Sequence, residues 1–301
     1  MENMENMETK KILVISGTHG NESNAVQTVY DLKNYFETCM YMKPGELVFY
    51  QAYNKTGLAY NTREFVPNSD KEINDMNRVL PFKEPIFKDD LITTLQRKLE
   101  DADVVIDVHN SPICKNLIII DNNRYAPHFI KFAEENSIRY CLKESCGDTI
   151  KSYVVNKLEK PGFTVEIGDM GWESKDKDNS GVVFLTHLIT SINQWISQEK
   201  YNFSPCKDLY TSEECLRLIS THADGLIRES GTDKKLTKEQ ILRTYKRHEP
   251  ICEIVDPDTS ELLETIKAPC DGTLVCIDDT SWACIGGTLG EFQPDLNSIG
   301  E

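Results

Sequence analysis

The chain has no apolar run long enough to cross a bilayer. Its longest runs, such as Ile12 to Ile15 and Leu117 to Ile120, fall far short of the roughly 18 to 20 residues a helical span needs, so no membrane anchor is expected. Positive charge is also scarce: 33 Lys and Arg face 49 Asp and Glu, a formal charge of −16. No basic cluster longer than Lys10-Lys11 or Lys234-Lys235 interrupts that balance. Nucleic acid is therefore excluded as a partner, because its phosphates repel such a surface. None of the 10 Cys falls in a CxxC pair, and the reading is reduced, buried thiols in a cytoplasmic protein. The opening MENMENMETKK has acidic residues where a secretory signal carries positive charge, and residues 1–10 read as a disordered tail. No repeat with a period of 20 to 50 residues is present.

What the chain does contain is ample core material, 39% hydrophobic and 9% aromatic. At 301 residues it exceeds what one core usually serves, so one large and one small domain are expected. From Lys11, β-branched runs alternate with helical ones. Strands are expected at Ile12 to Ser16, Leu47 to Tyr53, Val104 to Val108, Leu117 to Ile120, Ile138 to Leu142 and Phe163 to Ile167. Helices are expected at Glu22 to Glu37, Asp89 to Leu99, Tyr125 to Asn136, Thr149 to Leu158 and Ser180 to Gln198. This is the pattern of an α/β sheet. After Lys200 the character changes. Tyr201 to Lys207 reads as a linker, and short strand candidates at Ile251 to Val255, Leu262 to Ile266 and Thr273 to Ile277 point to a β-rich unit over 201–301.

Four local features carry chemistry. Gly17-Thr18-His19-Gly20-Asn21-Glu22 follows a strand and opens a helix, where open α/β sheets place ligands. His19 and Glu22 can converge there on one point, although HxxE alone is a weak metal signal and a helix-capping Glu is its plainer reading. Asp107-Val108-His109-Asn110 sets a second His at a strand end, where a backbone hydrogen bond is the plainer role. Together, two His and one Glu fill a tetrahedral zinc except for one position left to water. In Phe163-Thr164-Val165-Glu166-Ile167-Gly168 a lone carboxylate sits within an apolar strand. Desolvation there suits it to general acid/base work, unless it faces solvent. Arg63 and Arg78 lie in one polar segment, either as surface charges or as anion-binding groups.

The set GTHGNE, TR, NDMNR, DVHN and VEIG, in this order, resembles the succinylglutamate desuccinylase/aspartoacylase family over about residues 11 to 200. The run Ile266-Lys267-Ala268-Pro269-Cys270-Asp271-Gly272-Thr273-Leu274-Val275, followed by Gly286-Gly287-Thr288-Leu289, resembles that family's β-rich terminal domain. The resemblance implies a mixed-sheet α/β, zinc-carboxypeptidase-like catalytic domain at 11–200, with helices on both faces, and a small β-rich C-terminal domain at 201–301. It implies one zinc per chain held by His19, Glu22 and His109, with Glu166 as the general acid/base. Arg63 is implied as the group that polarises the scissile carbonyl, and Asn77 and Arg78 as the pair that holds the substrate carboxylate. The implied activity is deacylation of a small N-acyl amino acid, by attack of zinc-bound water on the amide carbonyl. A homo-oligomer is compatible with this reading.

The chain also departs from the family pattern. Glu64 to Ile73 makes a long insertion between Arg63 and Asn77, and no Arg precedes Glu166 by about ten residues to take a second carboxylate. Lys157 is the candidate substitute there. The C-terminal run also resembles biotinyl or lipoyl carrier barrels, but Asp278 to Trp282 offers no Lys for attachment. A lid over the zinc cleft is the expectation for this unit. His128, His187, His222 and His248 fall in no ligand-like spacing, and Cys114 reads as packing. The competing readings are a metallocarboxypeptidase, whose peptide C-terminus Asn77 and Arg78 would hold equally well, and a non-catalytic zinc-binding relative.

Overall fold

The computed structural model describes residues 10–39, 47–65, 75–78, 80, 90–111, 116–143, 147, 149–168, 180–198, 201–206, 216–219, 221–231, 243–277, 282–283 and 288–294. The expected tail at 1–10 lies outside them except for Lys10, and Cys114 lies outside them altogether. The first part of the chain forms a six-stranded sheet from β1 (Ile12–Ser16), β2 (Leu47–Tyr50), β3 (Val104–Ser111), β4 (Leu117–Asp121), β5 (Tyr140–Lys143) and β6 (Gly162–Gly168). Their order across the sheet is β2-β1-β3-β6-β4-β5. The first four run parallel. β4 pairs antiparallel with β6 and parallel with β5, so the sheet is mixed.

β1 shows why the sheet has a core on each side. All five of its residues are buried, which is why it reads as an unbroken apolar run rather than an alternating one. Successive side chains leave a strand on opposite faces. Ile12 and Val14 accordingly join one buried cluster and Leu13 and Ile15 another. The first cluster is covered by α1 (Ser23–Cys39), α4 (Ala126–Glu135) and α6 (Ser180–Ile196). The second is covered by α3 (Asp90–Asp101) and α5 (Ile150–Asn156). Helices therefore lie on both faces, and the α/β architecture is as expected. A short helix missing from the sequence reading, α2 (Lys55–Tyr60), is capped by the Asn54 side chain, which accepts from the Gly57 N–H.

The rest of the described chain is antiparallel. One sheet has the order β11-β10-β8-β13 and the other β7-β14-β12-β9. Their strands are β7 (Leu216–Ile219), β8 (Gly225–Glu229), β9 (Thr244–Tyr245), β10 (Pro250–Val255), β11 (Leu262–Lys267), β12 (Gly272–Ile277), β13 (Trp282–Ala283) and β14 (Thr288–Pro294). These strands build a buried cluster of their own around Tyr245, Ile254, Leu274 and Phe292.

The expected linker is more than a tether. Tyr201 sets its ring edge-on to Trp195 at 5.1 Å, and Phe203 stacks on Tyr125 at 4.7 Å. The Cys206 N–H donates to the Arg124 carbonyl at 2.9 Å, and His128 Nε2 donates to the Ser204 carbonyl at 2.7 Å. Two aromatic side chains in six residues give the segment apolar area to bury, and burying it fixes the strap against the first cluster.

Candidate metal centre and its cavity

The site lies where the parallel strands end. His19 sits in the loop between β1 and α1, His109 near the end of β3, and Glu166 on β6 directly opposite His109 in the register. Glu22 comes just before α1, its N–H turned back to the His19 carbonyl at 3.3 Å. Its carboxylate does not cap the helix. It meets His19 Nδ1 at 2.7 Å and His109 Nδ1 at 2.9 Å, and accepts from the Asn110 N–H at 3.2 Å. All three residues are buried, and their donor atoms lie within 4.8 Å of one another.

The outer nitrogens decide what this set can hold. His19 Nε2 lies 3.1 Å from Asp75 Oδ1, and His109 Nε2 lies 2.8 Å from Asp107 Oδ2. A carboxylate only accepts, so each imidazole carries a proton on Nε2 and turns the lone pair of Nδ1 inward. The two Nδ1 atoms then face each other at 3.2 Å, beside the Glu22 carboxylate. Two lone pairs and an anion so close require a positive charge between them, a proton or a metal ion. Two nitrogens bound to a tetrahedral zinc at about 2.0 to 2.1 Å sit about 3.3 Å apart. A carboxylate on the outer nitrogen of each ligating His is the usual way such rings are oriented. The donor set therefore fits zinc.

The ionisation of the surrounding groups follows from the same contacts. Burial disfavours a charged Glu22, but the neighbouring His109 charge and the close contacts with both imidazoles outweigh it and hold its carboxyl well below the usual range. Asp75 is lowered in the same way by His19, Arg63 and the Asn77 N–H, against its own burial. Burial also opposes charge on His109, yet Asp107 and Glu22 raise its pKa well above the ordinary value. Glu166 behaves oppositely to Glu22. Its burial, reinforced by the Glu22 charge, raises the carboxyl to about 7 despite His109, Lys143 and His19. Its Oε2 is shielded from solvent and has no hydrogen-bond partner among the described residues.

A cavity of about 340 Å³ opens over these groups, within the range of small-molecule sites. It runs from the imidazoles past Glu166 and Thr164 to Asp121 on β4, Lys143 on β5 and Lys151 on α5. Arg63, Asn77 and Arg78 line it too. Arg63 is half-exposed, with Nε 3.2 Å and Nη2 3.1 Å from Asp75 Oδ2. Asn77 is buried, its Oδ1 accepting from the Ile150 N–H at 2.9 Å, which leaves the amide N–H groups as what it can offer a ligand. Arg78 is exposed, Nη1 donating to the Asn77 carbonyl at 2.9 Å. All seven residues singled out in the sequence thus line one cavity.

Two expectations fare differently. Lys157 lies exposed at the C-terminal end of α5 and is not in the lining, so it does not fill the place proposed for it. Lys151, the second residue of the same helix, does line the cavity. It is buried with its ammonium 2.5 Å from Asp121 Oδ1. Nor does any described residue beyond Glu166 line the cavity, so the expected lid has no support among the described residues. The sequence reading also missed Asp75 and Asp107, although both stand inside motifs it quoted. An aspartate two residues before a strand-end His was the available signal.

A six-stranded mixed sheet with helices on both faces, and a His-Glu-His donor set over a small cavity at the ends of its parallel strands, define an α/β protein with a candidate mononuclear metal centre. The model of the succinylglutamate desuccinylase/aspartoacylase catalytic domain matches residues 8–189, and the chain belongs to that family, whose members are hydrolases. No curated protein matches the chain. Among solved structures it is similar to an aspartoacylase family protein from Mesorhizobium loti, with 13% identity and a TM-score of 0.65 over 96% of this chain and 86% of that one. A succinylglutamate desuccinylase from Silicibacter sp. shows 15% identity and a TM-score of 0.63 over 95% and 86%. A succinylglutamate desuccinylase/aspartoacylase from Rhodobacter sphaeroides shows 16% and 0.64 over 97% and 87%. At these identities the likeness is one of fold, and it extends beyond residue 189 into the β-rich part.

Proposed function

We propose that the protein is a zinc-dependent amidohydrolase that removes the acyl group from a small N-acyl amino acid. The observation that carries this reading is the pair of inward-facing Nδ1 atoms at 3.2 Å beside Glu22, with the buried carboxyl of Glu166, its Oε2 without a hydrogen-bond partner among the described residues, at the neighbouring register position. His19, Glu22 and His109 would hold the ion. Zinc bound there supplies Lewis-acid activation of water and of a carbonyl at neutral pH.

The chain's own groups do the rest. Glu166, raised to about 7, is poised to take a proton from the attacking water and to return one to the leaving amine. Arg63, aimed by Asp75, stabilises the charge that grows on the carbonyl oxygen. The Asn77 amide and the Arg78 guanidinium hold the α-carboxylate. Lys143 and Lys151 bring two cationic side chains to the far end of the cavity beside Asp121, in an otherwise acidic protein. That balance favours N-acylated acidic amino acids, with the lysines in place of the missing Arg. We place the catalytic domain at 11–200, with residues 201–206 docked against it as a strap, the β-rich domain in the remainder of 201–301 and the reaction in the cytoplasm. The unpaired thiols of Cys206 and Cys252 suit that compartment, and no helix among the described residues is long and apolar enough to cross a membrane.

The test is metal content by elemental analysis, run beside amine release from a panel of N-acetyl and N-succinyl amino acids, with His19→Ala as control. About one zinc per chain and hydrolysis of one substrate class, both lost in His19→Ala, is the expected result. No zinc in a freshly purified sample refutes the ligand set. Release from peptide C-termini instead would make the protein a carboxypeptidase.

A further inference from the structure

The metal loop does not stand alone: it rests on the segment from Ala52 to Leu58. Gly17 adopts φ +75°, and a Cβ there would come within 2.8 Å of the Ala52 backbone, itself left-handed at φ 50°. A Cβ on Gly20 would lie 1.9 Å from the Gly57 carbonyl carbon. Loop and segment thus touch backbone to backbone at two places, and no side chain fits between them.

Asn54 is the bolt of this contact. It is fully buried and every polar group it has is used across or within the joint. Its N–H donates to the Gly17 carbonyl at 3.1 Å, and its Nδ2 to the Thr18 carbonyl at 3.2 Å. Its Oδ1 accepts from the Gly57 N–H at 2.9 Å, and its carbonyl from the Leu58 N–H at 3.0 Å. Thr18 passes the constraint on. Its hydroxyl donates to Asp107 Oδ1 at 2.7 Å, and the other oxygen of Asp107 holds His109 Nε2 at 2.8 Å. The residue after Thr18 is His19 itself. One buried amide therefore fixes the backbone that carries one imidazole, and it anchors the hydroxyl that orients the carboxylate behind the other.

We propose that Asn54 is a positioning residue that sets the metal affinity of this site. It touches neither ion nor substrate and acts through Thr18, Asp107 and the loop. The inference rests on the zinc reading above. Outer partners of this kind change metal affinity by about 10- to 100-fold when removed.

Asn54→Ser isolates the effect. Serine caps a helix about as well as asparagine, so the bond to Gly57 can be replaced, but its side chain is too short to reach the Thr18 carbonyl. The affinity of the full-length, chelator-treated protein for zinc, measured by competition with a chromophoric chelator, should fall by about 10- to 100-fold in Asn54→Ser, and the absorption bands of the cobalt-substituted protein should shift. Thr18→Val, which cuts the next link, should do the same. The two changes together should cost little more than either alone, because they break one chain of contacts. Ile189→Val, which loosens the core under α6 outside the cavity lining, should leave zinc affinity unchanged.

Unaltered affinity and cobalt spectrum in folded Asn54→Ser overturn the inference. Should that variant fail to fold, unaltered affinity in Thr18→Val overturns it equally. An equal loss in Ile189→Val also overturns it, by showing that general loosening is the cause. A wild-type protein that binds no zinc overturns instead the zinc reading on which the inference stands.

Discussion

Replacing Glu166 by Gln removes a charge while keeping the shape of the side chain, and its consequences can be worked out in both stability and rate. The carboxyl is raised from 4.5 to about 7 in the folded chain, chiefly by burial. Below pH about 4.5 folded and unfolded states both hold the proton, and the residue costs nothing. As pH climbs, the unfolded chain releases its proton first, so folding of the wild type grows steadily less favourable. The deficit levels off once pH passes the folded value. At 1.36 kcal/mol per pKa unit the full deficit is on the order of 3 kcal/mol. Glu166→Gln lacks this slope. In urea denaturation of the chelator-treated proteins at several pH values from 4.5 to 8, the variant should gain on the wild type through that window and hold its advantage above it. Parallel curves would show that Glu166 ionises as an exposed glutamate does, and the desolvation argument would fall. With zinc restored, the same variant should bind metal normally yet turn over about 10²- to 10⁴-fold more slowly. Near-wild-type turnover would remove Glu166 from the mechanism.

Three further outcomes are expected. Gly20→Ala forces a methyl into the Gly57 backbone; it should cost about 3 kcal/mol or more and strip the zinc, and a stable, zinc-loaded Gly20→Ala would mean that loop and helix α2 are not held together. Asp121→Asn leaves the buried Lys151 ammonium without its counter-charge and should destabilise the fold by about 3 to 5 kcal/mol in denaturant titration, with much of that recovered in Asp121→Asn/Lys151→Met. Arg78→Ala should raise KM by about 10- to 100-fold with kcat little changed, as expected for a group that binds ground and transition states alike; a fall in kcat at constant KM would move Arg78 into the chemistry.

The candidate ligands and the candidate base were legible because their residue types are restrictive and their places regular: a His and a Glu three residues apart at a helix start, a His at a strand end, a Glu within an apolar strand. The strands of the main sheet were legible for the reason that makes β1 an unbroken apolar run, burial on both faces. What escaped was everything whose role depends on which way a side chain turns. Asp75 and Asp107 look like ordinary acidic residues until the fold sets each behind an imidazole. Lys151 opens and Lys157 ends one short helix, and only packing shows that the first pairs with buried Asp121 while the second meets water. Helix α2, at six residues with a central glycine, carries too little periodicity to be seen. The small strands β7, β8, β9, β13 and β14 were missed because they draw their stability from partners distant in the chain.

The docked strap from Tyr201 to Cys206 moves the seam at which this protein can be divided. Composition places the join near Lys200, but the rings of Tyr201 and Phe203 complete an aromatic cluster begun by Tyr125, Phe129, Phe163 and Trp195. A chain exchanged or shortened at Lys200 would carry away the cover of its neighbour's interior and uncover the rings of Tyr125, Phe129 and Trp195 on which the strap packs. The six residues that look like the start of the second unit pack as part of the first, and a cut that respects the interior falls after Cys206.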